Sequence, residues 1–92
     1  MSNDDDVVDY PIDGVLDLHA FAQRDVSDLV PTYLDECRAR GILEVRIIHG
    51  KGQGVLRQTV HSILERRADV ASYALAPAHR GGWGATVVTL RP

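Results

Sequence analysis

Cysteine, aromatic residues and long apolar runs are all scarce in this chain of 92 residues. It has a single cysteine, Cys37, and only 5% of its residues are aromatic. A lone cysteine cannot form an intrachain disulfide, so no covalent bridge is expected in the fold, and a free thiol is typical of a reducing compartment. No apolar run approaches the roughly 20 residues of a membrane-spanning helix, and the acidic N-terminus differs from a secretory or transit signal. We therefore expect one small cytoplasmic domain with a thin core and no membrane partner.

Basic residues are absent from the first 13 positions, which contain five aspartates. The whole chain has 13 acidic and 10 basic residues, so the remainder has 8 acidic and 10 basic residues and is mildly basic. The overall pI near 5.7 therefore does not argue against a polyanionic partner. We predict an acidic, poorly ordered segment over residues 1–14 and a folded domain over residues 15–92. In the alternative interpretation, the acidic segment competes with nucleic acid for a basic cleft.

The spacing of apolar residues predicts six elements in the order βαβαββ. Strands are expected at residues 15–19, 45–48, 70–75 and 85–90, and helices from Asp25 to Gly41 and from about Val55 to Ala68. Pro31 lies past the first turn of the first helix, where we expect a kink or a broken turn. Each of the two crossovers favours parallel strands that are neighbours in the sheet, and their handedness is expected to place both helices on one face. The last two strands are expected to form an antiparallel hairpin. The predicted fold is an α/β (α+β) two-layer sandwich with a four-stranded mixed sheet.

Polar side chains alternate with leucines along the first predicted strand. Asp17 and His19 are two positions apart, so they are expected on one face, while Leu16 and Leu18 face the other. The alternative is the solvent-exposed side of an edge strand. Because ligands bind beyond the carboxyl ends of strands in open sheets with crossovers, we interpret this pair as a candidate for proton transfer.

A glycine-rich segment joins the second strand to the second helix, and its sequence is His49-Gly50-Lys51-Gly52-Gln53-Gly54. Free amides and a positive dipole at the start of a helix favour anions, and Lys51 and Arg57 add positive charge nearby. The spacing is neither that of a Walker loop nor that of a dinucleotide fingerprint, which disfavours nucleotide hydrolysis. We predict a phosphate-binding loop, the alternative being a turn selected for its geometry alone.

The four histidines of the chain are candidates for proton transfer or metal binding. His49 ends a β-branched strand beside the glycine loop, and with Asp17 and His19 it provides the groups needed for acid and base catalysis of phosphodiester cleavage. A zinc site built from the four histidines is disfavoured, because no two of them have structural zinc spacing. His61 is predicted to be an exposed or half-covered residue of the second helix.

A second glycine-rich segment, Gly81-Gly82-Trp83-Gly84, connects the last two strands and follows Arg80. A tryptophan on a basic loop can stack on a nucleobase, so Trp83 and Arg80 are candidate nucleic-acid contacts. In the alternative interpretation, Trp83 is an anchor that packs on the edge of a small domain.

Three blocks of the sequence occur in a distinctive order: Leu16-Asp17-Leu18-His19, then Ile47-Ile48-His49-Gly50-Lys51-Gly52-x-Gly54-x-Leu56-Arg57, then Gly81-Gly82-x-Gly84-Ala85-Thr86-x-Val88. They resemble the signature blocks of the Smr (small MutS-related) domain family in its short stand-alone form, over about residues 15–90. The resemblance implies a fold similar to the C-terminal domain of bacterial translation initiation factor three. It also implies nuclease activity, which is DNA nicking in MutS-related proteins and RNA cleavage in ribosome-associated ones. It places the active site at Asp17, His19 and residues 49–52. Ala20 departs from the pattern, which has glycine at that position.

The function predicted on these grounds is that of a small endonuclease that cleaves the phosphodiester backbone of DNA or RNA, with Asp17, His19 and His49 as catalytic residues. The predicted phosphate and nucleic-acid contacts are Gly50, Lys51, Gly52, Gly54, Arg57, Arg80 and Trp83. RNA carries its own nucleophile and needs no metal, whereas DNA nicking calls for a water activated by Mg²⁺ or Mn²⁺, with Asp17 as a ligand. The alternatives are a non-catalytic nucleic-acid-binding module and a protein-interaction domain with an exposed edge strand. A monomer is favoured, but the oligomeric state stays open.

Overall fold

The computed structural model describes residues 11–52 and 54–92. The predicted disorder of the first residues lies outside this part of the chain, and the boundary at residue 15 stays a prediction. The strands are β1 (Val15–Asp17), β2 (Glu44–Ile48), β3 (Val70–Leu75) and β4 (Ala85–Leu90), and the helices are α1 (Val26–Ala39) and α2 (Val55–Glu65). Short 3₁₀ turns occupy Leu18–Ala20, Gln23–Asp25, Ala78–Arg80 and Gly82–Gly84. The predicted order βαβαββ is confirmed.

The four strands form one mixed sheet in the order β1-β2-β4-β3. β1 is parallel to β2, and β4 is antiparallel to both of its neighbours. The hairpin of β3 and β4 is therefore confirmed. β2 and β3 are not neighbours, in contrast to the expectation for a simple crossover, because β4 inserts between them. The central position of β4 brings its first residues beside the end of β2, where the glycine loop begins.

One local prediction is wrong, and a second is tested only in part. The first strand ends at Asp17 instead of continuing to His19, because the Asp17 carboxylate accepts a hydrogen bond from the His19 amide and caps a 3₁₀ turn. The first helix continues through Pro31 as a single element, so the turn before Pro31 is not broken, and a separate 3₁₀ turn precedes the helix. The predicted kink at Pro31 stays a prediction. Asp25 is the residue at the start of this helix, but its side chain makes no capping hydrogen bond.

The core lies between the two helices and one face of the sheet. Its buried members include residues of β1, β2 and β4 and of both helices: Leu16, Leu18, Val26, Val30, Tyr33, Leu34, Cys37, Val45, Ile47, Val60, Leu64, Val88 and Leu90. Within the described part of the chain, His49 and Thr86 are the buried polar residues. Thr86 on β4 and His49, which directly follows β2, stand in phase with buried apolar residues two positions away, so the core face of the sheet has polar side chains at one end.

Tyr33 of α1 anchors the start of β1. Its buried hydroxyl accepts a hydrogen bond from the Gly14 amide at 3.1 Å and donates one to the Val15 carbonyl, also at 3.1 Å. Burial raises the pKa of Tyr33 to about 12, so the hydroxyl stays protonated as a donor. This contact fixes the strand that carries Asp17. No helix in residues 11–52 and 54–92 is long and apolar enough to cross a membrane.

Candidate active site and nucleic-acid interface

The carboxyl ends of β1 and β2 lie side by side, because the two strands are parallel and Asp17 is paired in register with Ile48. The turn that carries His19 therefore lies beside His49 and Gly50. The structure thus brings the first two predicted blocks together at one edge of the sheet, as the strand order requires.

Asp17 and His19 form an exposed hydrogen-bonded pair. The Asp17 Oδ1 atom accepts from the His19 amide at 2.9 Å and lies 2.8 Å from the His19 Nδ1 atom. A carboxylate can only accept, so Nδ1 carries a proton, and Nε2 of the neutral ring has a free lone pair. The two side chains are 53% and 61% exposed respectively, which leaves the imidazole accessible to a substrate.

Gly50 lies directly beneath the His19 ring. A Cβ atom at position 50 would stand 2.8 Å from His19 Nε2, a distance too short for a real contact. The backbone of Gly50 also has a φ of +85°, in the left-handed region that favours glycine. Glycine at this position therefore serves both the turn and the close approach of the histidine.

Gly84 connects the third block to the second. Its carbonyl accepts hydrogen bonds from the amides of His49 at 3.0 Å and Gly50 at 2.8 Å. Its Cα lies against the Lys51 side chain, since a Cβ there would stand 3.1 Å from the Lys51 Cγ atom. The backbone of the second glycine segment thus holds the first glycine loop in place beside α2.

His49 is buried, with only 4% of its surface exposed, and both of its ring nitrogens have partners. Nδ1 lies 3.1 Å from the Gly50 carbonyl oxygen, and Nε2 lies 2.8 Å from the Thr86 hydroxyl oxygen. Burial lowers the pKa of His49, the bond to the Gly50 carbonyl opposes this, and the nearby Arg57 and His19 side chains lower the pKa further. His49 is therefore a neutral imidazole at neutral pH, facing the core instead of the solvent.

His61 of α2 contacts the same hydroxyl. Its Nε2 atom lies 2.8 Å from Thr86 Oγ1, and its ring lies 4.9 Å from that of Tyr73. Burial lowers the pKa of His61, with further lowering by His49 and Arg57 and an opposing effect of Glu65. The prediction that His61 is half-covered agrees with its intermediate burial.

The start of α2 is open towards the loop. Gly54 caps the helix with a φ of +84° and no side-chain hydrogen bond, and the Arg57 guanidinium folds back over it. An atom added at Gly52 would meet nothing within 4 Å, and Lys51 is exposed. Gly54 itself is buried beneath Arg57, whereas Lys51 and Gly52 are exposed. Two positively charged side chains thus lie near the first amides of α2, where an anion is favoured.

The chain matches the Smr domain family over residues 16–91. The chain belongs to the Smr domain family. The Smr domain of Thermus thermophilus MutS2 superposes with a TM-score of 0.79 and 42% identity, covering 85% of this chain and 98% of that one. YdaL, a stand-alone small MutS-related protein from Escherichia coli, has a TM-score of 0.81 and 32% identity, covering 90% of this chain and 68% of that one.

Curated relatives of this Smr domain include proteins named endonuclease MutS2. The one from Solidesulfovibrio magneticus is 40% identical over 77 residues, which is 84% of this chain and 10% of that protein. The one from Thermus thermophilus is 51% identical over 59 residues, which is 64% of this chain and 8% of that protein. This chain thus spans about a tenth of the length of these relatives.

Two predicted nucleic-acid contacts of this Smr domain differ in their availability. Trp83 is 62% exposed, so its ring is free to stack on a base. The Arg80 guanidinium lies 3.0 Å from the Glu44 carboxylate, and its backbone carbonyl accepts a bond from Arg46 at 3.3 Å. Arg80 is thus already paired with an acidic group, and a phosphate would have to displace that partner.

The sequence did not reveal that Thr86 and His61 belong to the hydrogen-bonded group around His49. The signal for Thr86 was present, because it is in phase with Val88 and Leu90 and is a polar residue at a core position. His49 is in phase with Val45 and Ile47 in the same way. Nothing in the sequence pairs Thr86 with His61, which is 25 residues away. Ala20 is exposed and its φ is negative, so the turn accepts an alanine there without strain.

Within residues 11–52 and 54–92, no three His, Cys, Asp or Glu side chains are grouped so that they could hold a metal ion. Asp17 is an exposed carboxylate that is already hydrogen-bonded to His19. Its role as a ligand of Mg²⁺ or Mn²⁺ stays a prediction.

Proposed function

We propose that this domain is a nucleic-acid endonuclease that cleaves the phosphodiester backbone. The observation that carries the proposal is the exposed His19 ring, which is hydrogen-bonded to Asp17 and lies over Gly50 next to Lys51. An accessible imidazole beside a loop suited to phosphate is the arrangement that proton transfer at a phosphodiester needs. The relatives named endonuclease MutS2 agree with this choice of reaction class.

His19 is the proposed proton-transferring group. Asp17 keeps the proton of the neutral ring on Nδ1, which leaves Nε2 as the base, and it stabilises the imidazolium that forms when Nε2 takes a proton. The same carboxylate bonds the His19 amide, so it fixes both the turn and the ring. Asp17 is thus proposed to act through His19.

The phosphate is proposed to bind at the start of α2. The exposed Lys51, Arg57 and the free helix amides would balance the negative charge that builds up on the phosphate oxygens in the transition state. Because Lys51 also packs along Gly84, its position is set by the third block. Trp83, on the same segment as Gly84, would stack on an adjacent base.

RNA and DNA call for different chemistry at this site. With RNA, His19 Nε2 takes the proton of the 2′-hydroxyl as the bond from O2′ to phosphorus forms and the bond from phosphorus to O5′ breaks. The leaving O5′ takes a proton from solvent, and His19 returns its proton to solvent. With DNA the nucleophile must be a water, which Mg²⁺ or Mn²⁺ bound by Asp17 would activate.

The test is incubation of the purified protein with end-labelled RNA and DNA, single-stranded and duplex, in EDTA and in Mg²⁺ or Mn²⁺. The wild-type protein is compared with His19→Ala and Asp17→Asn, and Asp28→Asn on the exposed surface of α1 is the control for removal of a carboxylate. Products with 2′,3′-cyclic phosphate and 5′-hydroxyl ends, formed in EDTA, indicate the RNA route. Cleavage only with added metal indicates the water route.

A non-catalytic nucleic-acid-binding module is the competing function, and the same experiment separates it. Such a module would bind polyanions with a strong dependence on salt yet release no products, and His19→Ala would not weaken that binding. A protein-interaction domain would show no salt-dependent polyanion binding at all.

A further inference from the structure

A series of hydrogen-bonded polar groups extends from the glycine loop to α2, and its two middle members, His49 and Thr86, are buried while Gly50 and His61 are half-buried. The order of contacts is Gly50 carbonyl, His49 ring, Thr86 hydroxyl and His61 ring. Leaving a buried polar group without a partner is costly, so each group in this series must be matched as donor or acceptor. The number of available protons therefore determines the direction of every bond.

The bond at the loop end has only one possible direction. The Gly50 carbonyl can only accept, so the proton of the neutral His49 ring is on Nδ1, and Nε2 has a lone pair. The Thr86 hydroxyl has one proton and must donate it to this Nε2 atom. A lone pair on the Thr86 oxygen then accepts from His61 Nε2, which must be protonated.

We propose that Thr86 and His61 are positioning residues for the proposed reaction: they hold His49 in the form protonated on Nδ1, and His49 thereby fixes Gly50 under the His19 ring. This inference rests on the proposed function for its effect on catalysis. It concerns the tautomer of one buried ring, and the tautomer can be measured without any substrate.

Gly50 is the residue through which the effect reaches His19. Its carbonyl binds His49, its amide donates to Gly84 at 2.8 Å, and its Cα lies against the His19 ring. A change in the orientation of the Gly50 peptide therefore alters the surface on which His19 Nε2 lies.

His61 is held in turn by the elements around it. The Tyr73 ring of β3 packs at 54° to it, and the Tyr73 hydroxyl donates to Glu65 of α2. The charged and titratable groups facing His61 are thus Glu65 and Arg57 on its own helix, Tyr73 on β3 and His49 beyond β2. This enclosure fixes the direction in which Nε2 points.

The first test is the tautomer of each ring, measured by long-range ¹H–¹⁵N correlation spectra of the wild-type protein at neutral pH. We expect His49 to be protonated on Nδ1 alone and His61 on Nε2 alone. A His49 ring protonated on Nε2 or on both nitrogens overturns the proposal, and so does His61 protonated on Nδ1 alone.

The second test uses Thr86→Val, which keeps the shape and removes the hydroxyl, with Thr89→Val on the exposed side of the same strand as the control. We expect amide exchange at Gly50 to accelerate about tenfold in Thr86→Val, the effect of losing about one hydrogen bond, and to stay unchanged in Thr89→Val. Thr86→Ser restores protection. Equal exchange in the two valine variants overturns the proposal.

The third test is cleavage by His61→Gln and His61→Ala. The glutamine side chain keeps an N–H donor for Thr86, so we expect its kcat to stay within about twofold of wild type, while alanine lowers kcat about tenfold with little change in KM. Equal losses in both variants overturn the positioning role. If the wild-type protein cleaves nothing, the proposed function fails, and the tautomer and exchange measurements still decide whether His49 and Gly50 are held in this way.

Discussion

Two histidines meet at the same edge of the sheet in opposite surroundings. His19 is 61% exposed at its side chain and has one bonded ring nitrogen, whereas His49 is 4% exposed and has two. An exposed imidazole can reach a substrate, whereas the His49 ring is bonded through both nitrogens to groups of the fold. We therefore propose His19 for proton transfer and His49 for the geometry of the loop, and the catalytic role predicted for His49 stays a prediction.

The largest expected effect is the loss of cleavage when the exposed His19 side chain is removed. His19→Ala removes the proposed base, so we expect cleavage to fall by about 10² to 10⁴, the usual value for a general acid or base. The free energy of unfolding should change by less than about 0.5 kcal/mol, since the side chain is exposed. Single-turnover cleavage and urea unfolding of the same preparation give the two values. Retained cleavage would remove His19 from the reaction.

Removal of the buried His49 side chain should mainly reduce the stability of the fold. His49→Ala deletes a core side chain and leaves Thr86 and the Gly50 carbonyl without their partner, so we expect a loss of about 2–4 kcal/mol in unfolding free energy. Urea unfolding monitored by circular dichroism gives the value, with His19→Ala as the matched control. Equally small losses of unfolding free energy in His49→Ala and His19→Ala would contradict the difference in burial between the two rings.

Gly50→Ala tests the close contact between Gly50 and the His19 ring. Its φ of +85° strains an alanine by roughly 1–3 kcal/mol, and its Cβ would displace the His19 ring. We expect reduced stability together with changed ring chemical shifts of His19. Gly52→Ala adds an atom with no neighbour within 4 Å, so those shifts should stay near the wild-type values. Unchanged His19 shifts in Gly50→Ala would contradict the close approach.

Much of this fold follows from local patterns in the sequence. The period of the apolar residues gives the bounds of β3 and β4 to the residue, because turns and glycines interrupt the pattern there. The end of β1 was less accessible, since it depends on the Asp17 side chain competing for the His19 amide. The insertion of β4 between β2 and β3 depends on tertiary packing, so the local periodicity did not reveal it.

The sequence predicted where the candidate site lies better than it predicted the burial and the partners of its side chains. Parallel β1 and β2 bring Asp17, His19 and His49 to one edge, as expected from their places at strand ends. The phase of His49 with Val45 and Ile47 indicated burial, whereas its place beside the glycine loop favoured the interpretation as a catalytic residue. The pairing of Arg80 with Glu44 joins residues 36 positions apart and has no local signal.

The smallest expected effect is the dependence of stability on pH. Near neutral pH this dependence comes from His49 and His61. Burial lowers the pKa of both His49 and His61 in the folded chain, while in the unfolded chain both titrate near the ordinary value of about 6.5. Below that pH the unfolded state binds more protons than the folded state, so the free energy of unfolding should decrease as the pH falls from about 6.5 to 5. The lowered pKa of Asp69, caused mainly by its hydrogen bond with Arg67, adds its own loss only at lower pH. Urea unfolding at intervals across this window measures the slope. His61→Gln removes one of the two groups, so its slope should be shallower than that of the wild-type protein, and an equal slope would show that His61 is not buried as a neutral ring.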